Sequence, residues 1–241
     1  MTPTISPARA VLFDVDFTLI YPGPTFQGEG YERFSAKHGI AVDRETFDAA
    51  VSRASFLLDE VREHTYDPQL FIRYTRRIIE EMGGSGPGLD ACASEIYREW
   101  ASCEHFALYD DVEPALRSLA ASGIRLGLVS NSHRSLEAFE QHFELHDLVA
   151  VSVSSSEHGY MKPHPSIFQA ALRGLGVTAP DTVMVGDSPR QDIEGARAVG
   201  MRAVLLRRSE SAAIWPEDLY AGIGEVPVIH SLRELPALLS G

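Results

Sequence analysis

The chain has 241 residues, 44% apolar and 23% charged, a globular composition long enough for one large core or for a core domain with a smaller companion. Its net charge of −13 argues against nucleic acid or an anionic membrane as the main partner, since both require basic surface. No stretch approaches the roughly 18 apolar residues of a membrane-spanning helix.

The start, Met1 to Pro7, carries neither the basic region nor the apolar core of a secretory signal. Cys92 and Cys103 therefore read as reduced thiols of a cytoplasmic protein. The first apolar run, Ala10-Val11-Leu12-Phe13, predicts a buried strand that stops on Asp14-Val15-Asp16-Phe17-Thr18. Two like charges held close raise one pKa unless a cation lies between them, so this acid pair points to a metal ion or to acid/base chemistry. Taken alone, the same five residues also suit an ordinary turn and cap. The context decides.

Residues 21 to 28 form a Pro/Gly-rich loop. Helical stripes follow: Phe47, Val51, Ala54, Leu58 and Val61, and then Phe71, Tyr74, Ile78 and Met82 after an Asp67-Pro68 start. Gly83 to Gly88 stops the second, and a third helix is expected near Asp90 to Ala101. The Phe47 and Phe71 stripes are expected in the core. This segment holds no convincing strand.

After about residue 108 the pattern alternates. Helix is expected over Asp111–Ser122, Ser132–Phe143, Pro165–Leu175, Arg190–Val199 and Ser231–Leu239. Strand is expected over Arg125–Ser130, Leu148–Val153, Thr182–Gly186 and Arg202–Leu206. Such alternation implies right-handed crossovers and a mostly parallel sheet. The economical picture is one α/β core, residues 1–20 and 106–241, interrupted by a helical lid over 21–105. Linkers near Tyr21–Gly28 and Ser102–Asp110 would let that lid open and close.

In open parallel sheets ligands sit beyond the carboxyl ends of the strands. Asp14 and Asp16 end the first strand, Ser130-Asn131-Ser132 the next, and Gly186-Asp187-Ser188 a later one, with Asp192 five residues on from Asp187. Lys162 lies in the loop before the helix that leads into that last strand. Only two of the 21 basic residues are lysine, so a lysine kept here suits a need for a compact ammonium. The chemistry requiring such a set is phosphoryl transfer to a carboxylate. Three acids can hold one Mg²⁺, a hydroxyl and backbone N–H groups can bind phosphate oxygens, and a lysine can offset developing charge. One carboxylate attacks phosphorus while a second moves the proton.

These four segments, Asp14-Val-Asp16-Phe-Thr18, Ser130-Asn131, Lys162-Pro163 and Gly186-Asp187-Ser188-Pro-Arg-Gln-Asp192, resemble the motifs of the haloacid dehalogenase-like hydrolase superfamily, in its phosphatase branch. The resemblance runs from about residue 8 to 207 or beyond. It implies a Rossmann-like parallel-sheet core with an inserted all-helical cap domain. It further implies Asp14 as nucleophile and Asp16 as general acid/base, with Mg²⁺ held by Asp14, the backbone carbonyl of Asp16, and Asp187. Ser130, Asn131 and Lys162 would bind phosphate, Lys162 with a catalytic part. Asp192 would support the metal water or Lys162, and Thr18 would brace the loop. The substrate implied is a small phosphorylated metabolite.

Phe17 departs from the glycine that many members carry there, which bears on access to the site. Other readings within the superfamily are a dehalogenase, a phosphosugar mutase, or a non-catalytic binding relative. Dehalogenases typically lack the second acid of the first motif, so Asp16 favours a phosphate ester. A phosphonate hydrolase would need a lid lysine; Lys37, the single lysine there, reads as solvated. His64, Arg62 and Tyr66 lie in a lid turn, His105, His133 and His164 show no metal-ligand spacing, and Arg134 reads as a solvated helix position.

Overall fold

The computed structural model describes residues 8–59, 64–208, 220 and 222–239. Val61, Arg62 and the first seven residues lie outside them. The described residues fall into two compact units, one built on 8–21, 108–208, 220 and 222–239, the other on 22–59 and 64–107.

The first unit is organised on β1 (Ala10–Phe13), whose four residues are entirely buried. A strand covered on both faces has no place for a polar side chain, which is why the run reads as continuously apolar. It is followed in the unit by β4 (Arg125–Ser130), β5 (Val149–Ser154), β6 (Thr182–Gly186), β7 (Arg202–Leu206) and β8 (Val228–Ile229). All pair in parallel, in the spatial order β5-β4-β1-β6-β7-β8. The chain moves outward from β1 through β4 and β5, then crosses back to β6 on the other side. β1 is thus the switch point, where neighbouring connections diverge and leave a crevice at the strand ends. Leu12, Val129, Phe168, Met184 and Leu205 join in one core cluster.

The second unit is helical: α1 (Gly28–Lys37), α2 (Phe47–Ala54), α3 (Phe56–Asp59), α4 (Pro68–Glu81) and α5 (Leu89–Glu99). α4 starts as its sequence suggests, with Asp67 accepting from the Gln69 N–H and Pro68 at the first position. Its buried face is Leu70, Thr75, Ile78 and Ile79. Of the two stripes expected as core, Ala54, Ile78 and Met82 are buried, whereas Phe47 and Phe71 are only half-buried: Phe47 packs on Tyr31 at 4.9 Å, and Phe71 lies between Tyr66 and Tyr97. The aromatic centre is instead Phe26, Trp100 and Phe106, with ring centroids 4.6 to 5.4 Å apart. Lys37 is exposed and bonds Glu95 at 3.1 Å. The two chain crossings between the units, β2 (Ile20–Pro22) and β3 (Phe106–Leu108), pair as a two-stranded sheet that the sequence pattern did not announce. Three-residue strands are too short to show a period.

Two other differences bear on the site. The helix after β4 is α7 (Leu136–His142), capped by Ser135, whose hydroxyl accepts from the Ala138 N–H. Residues 131 to 135 are therefore loop rather than the start of that helix. The segment expected as helix from Arg190 is first a wide π-type turn over Pro189–Glu194 and only then α-helical. Both cysteines are buried, and among the described residues no helix is long and apolar enough to cross a membrane.

Candidate active site

β1 delivers Asp14 to the crevice, where it is 7% exposed and its N–H bonds the Val185 carbonyl of β6 at 2.9 Å. The next residues close into one tight turn: the N–H groups of Thr18, Leu19 and Ile20 all reach the Val15 carbonyl. Phe17 bonds across this turn to the Ile20 carbonyl at 2.7 Å with φ 63, in the left-handed region that glycine occupies without strain. The turn thus explains why glycine suits the position. Keeping Phe there costs on the order of 1 kcal/mol of backbone strain.

Both oxygens of Asp14 have partners. Thr18 Oγ1 donates to Oδ2 at 3.3 Å, and Lys162 Nζ donates to Oδ1 at 2.5 Å. The ammonium also donates to Asp192 Oδ1 at 2.6 Å, and the other Asp192 oxygen accepts from the Ser188 N–H at 3.0 Å. Gly186 is required for this approach, because a Cβ there would lie 2.2 Å from Asp192 Oδ2. Asp14, Asp187 and Asp192 bring carboxylate oxygens within 4.8 Å of one another, all buried. Burial pushes the Asp14 carboxyl up to about 7, with Lys162 opposing and Asp192 reinforcing. Burial disfavours the Lys162 ammonium too, but Asp14 and Asp192 outweigh it and hold its pKa above the usual lysine range.

β4 ends on Ser130, whose hydroxyl is buried with no hydrogen-bond partner among the described residues. A buried hydroxyl without a partner costs about 1–3 kcal/mol, and an anionic oxygen in the crevice would relieve it. Asn131, expected on the phosphate, commits its side chain elsewhere. Its Oδ1 accepts from the Lys162 N–H at 2.7 Å, while Nδ2 donates to the Lys162 carbonyl and to Gln191 Oε1, each at 3.0 Å. The Asn131 side chain positions Lys162.

Asp16 keeps its carboxylate out of the acidic cluster and pairs with Arg134, Nη1 to Oδ1 at 3.0 Å. Arg134 is 1% exposed, so its reading as a solvated helix residue is wrong. It precedes the helix, in a loop that turns its side chain inward. The cap signal of Ser135 held the clue. A second buried arginine, Arg208, was also missed. It donates from Nε and Nη2 to the Thr18 carbonyl at 3.2 and 2.8 Å and forks onto Asp111 at 3.0 and 2.8 Å. The brace expected of Thr18 thus runs on through Arg208 to the start of α6 (Val112–Ala121).

Burial alone would raise the Asp111 carboxyl, but Arg208, the Ser231 hydroxyl and the Leu232 N–H hold it below the usual range. A depressed carboxyl stabilises the fold above its unfolded pKa of about 3.9 and loses that contribution as pH falls through the folded value. The expected result is a urea-unfolding free energy that drops below about pH 4, with a shallower drop in Asp111→Asn. An unchanged acid slope in that variant would refute the assignment.

Of the histidines, His164 caps α9 (Pro165–Leu175) and shares the Ser166 hydroxyl with His158, and His105 meets Glu99 at 3.2 Å. His64 and Tyr66 lie in the helical unit, where Tyr66 bonds Tyr97 at 2.5 Å.

The family model for haloacid dehalogenase-like hydrolases matches residues 8–200. The chain belongs to that family. Among curated relatives, a glyceraldehyde 3-phosphate phosphatase of Methanopyrus kandleri is 33% identical over 87% of this chain and 88% of its own length. A solved phosphatase of the family from Thermococcus onnurineus is 28% identical, with 97% of this chain and 98% of its own covered at a TM-score of 0.63. A solved 2-haloacid dehalogenase from Pseudomonas syringae pv. Tomato DC3000 is 28% identical at the same coverages, TM-score 0.60. Membership in the haloacid dehalogenase-like hydrolases is thus plain, and the branch is a matter for the site residues.

Proposed function

We propose that this hydrolase is a Mg²⁺-dependent phosphatase that cleaves a small phosphorylated metabolite through an aspartyl-phosphate on Asp14. The observation that carries the reading is a buried carboxylate, fixed on both oxygens by Thr18 and Lys162, one strand away from the partnerless Ser130 hydroxyl. The phosphatase from Methanopyrus kandleri supports it, and so does Asp16, the acid expected to be missing from a dehalogenase.

Asp14 attacks phosphorus, and the bond to the leaving oxygen breaks as Asp16 supplies its proton. Asp16 then takes a proton from the water that attacks the acyl phosphate, which releases inorganic phosphate and returns Asp14 to its carboxylate and Asp16 to its protonated form. Ser130 and Lys162 bind the phosphoryl oxygens, and Asn131 and Asp192 keep Lys162 in place. The buried carboxylate oxygens within 4.8 Å fit a divalent cation, since three acids there meet one ammonium. The Asp14 and Asp187 carboxylates, with the Asp16 backbone carbonyl, would hold Mg²⁺. The ion's contribution when bound is to neutralise charge between nucleophile and phosphate. In this reading residues 21–105 act as the cap that sets substrate choice.

The test is release of inorganic phosphate from 4-nitrophenyl phosphate and a panel of phosphorylated metabolites. Hydrolysis should vanish in EDTA and return with Mg²⁺. Chelator-insensitive release of halide from a 2-haloacid, without phosphatase activity, would overturn the reading in favour of a dehalogenase.

A further inference from the structure

We infer that Arg134 is a positioning residue for proton transfer, holding the Asp16 carboxylate in the orientation from which it serves the leaving oxygen. The inference rests on the phosphatase reading above. Arg134 Nη1 bonds Asp16 Oδ1 at 3.0 Å; the arginine side chain is fully buried, whereas that of Asp16 is 18% exposed. The guanidinium therefore backs the carboxylate on its closed side and leaves its open side for substrate. Arg134 is itself fixed, because its N–H bonds Ser132 Oγ at 2.9 Å and the loop is pinned between Ser130 of β4 and the Ser135 cap. Ser132 is tied in turn, its carbonyl accepting from the Ser156 N–H at 3.3 Å. The six residues from Ser130 to Ser135 thus carry the partnerless hydroxyl at their start and the anchor of the acid/base near their end.

A buried ion pair rarely stabilises a fold more than an apolar pair of the same size would. What it supplies here is direction. A planar guanidinium fixes a carboxylate's angle as an aliphatic side chain cannot. Proton transfer is sensitive to that angle, since the donor must lie within hydrogen-bond reach of the oxygen it serves.

The experiment compares two probes of similar shape and different leaving group. 4-Nitrophenolate leaves without a proton, whereas the phenolate of phenyl phosphate, with a conjugate-acid pKa near that of tyrosine at about 10, depends on one. Arg134→Leu should lower kcat for phenyl phosphate about tenfold or more beyond its effect on 4-nitrophenyl phosphate, with KM for each nearly unchanged. In an Asp16→Asn background the same substitution should add no such selective loss, because the residue it positions is gone. Arg134→Lys provides a second variant should the leucine chain fold poorly, and it is read by the same ratio. Equal losses on both probes, or none, overturn the positioning role while leaving the phosphatase reading intact. A wild-type protein inactive on both probes overturns that reading, and the inference with it.

Discussion

Asp14→Asn should abolish phosphate release, by about 10⁴-fold or more, and leave the fold as stable as before. Asparagine keeps the shape and offers its one oxygen to Lys162, while the Thr18 hydroxyl, 3.3 Å from Asp14 Oδ2, can turn to accept from the amide. Lys162 retains Asp192 at 2.6 Å. Burial already disfavours the charge at this position, so removing it takes away a cost rather than a support. Chemistry and stability therefore separate: kcat collapses, while the melting temperature measured in chelator holds or rises. Residual turnover within about tenfold of wild type would exclude Asp14 as the nucleophile.

Lys162→Met should damage both properties. Its side chain is 2% exposed and lies between two buried carboxylates, at 2.5 Å from Asp14 and 2.6 Å from Asp192. Removing the ammonium strands two acids in a closed crevice, and breaking such a pair costs about 3–5 kcal/mol. The rate should fall by about 10²–10³ as well, the usual effect of losing one charge-stabilising donor. Lys37 provides the internal control, since it pairs with Glu95 at 3.1 Å on a side chain 61% exposed. Lys37→Met should change stability by less than about 1 kcal/mol. Urea unfolding of both variants checks the contrast, and equal losses would mean the site cluster does not stabilise the fold.

The strands that build the crevice were legible because each is short, apolar and closed by a polar turn; Ala10–Phe13 and Thr182–Gly186 occupy the residues their pattern indicated. Their polar ends were legible for the same reason, since a covered strand must shed its polar groups at its end. The direction of side chains in the turns was not legible. Asn131 carries the same amide whether it meets a phosphate or the backbone of Lys162, and only the fold decides. Arg134 failed for a related cause: an arginine is expected in water unless paired, and its partner lies 118 positions away. Arg208 and Asp111, 97 positions apart, are equally invisible locally. Phe17 was a puzzle in the sequence and becomes intelligible only through its positive φ.

Every residue assigned to the site here, from Asp14 to Asp192, belongs to the first unit, while the chain departs at Tyr21 and returns at Leu108 on two strands that pair with each other. Entry and exit of the inserted stretch therefore lie side by side. In terms of chain entropy the paired ends act as a clasp. With β2 and β3 joined, the ends of the stretch between them are already together, so by loop-closure entropy each doubling of its length would cost only about 0.6 kcal/mol.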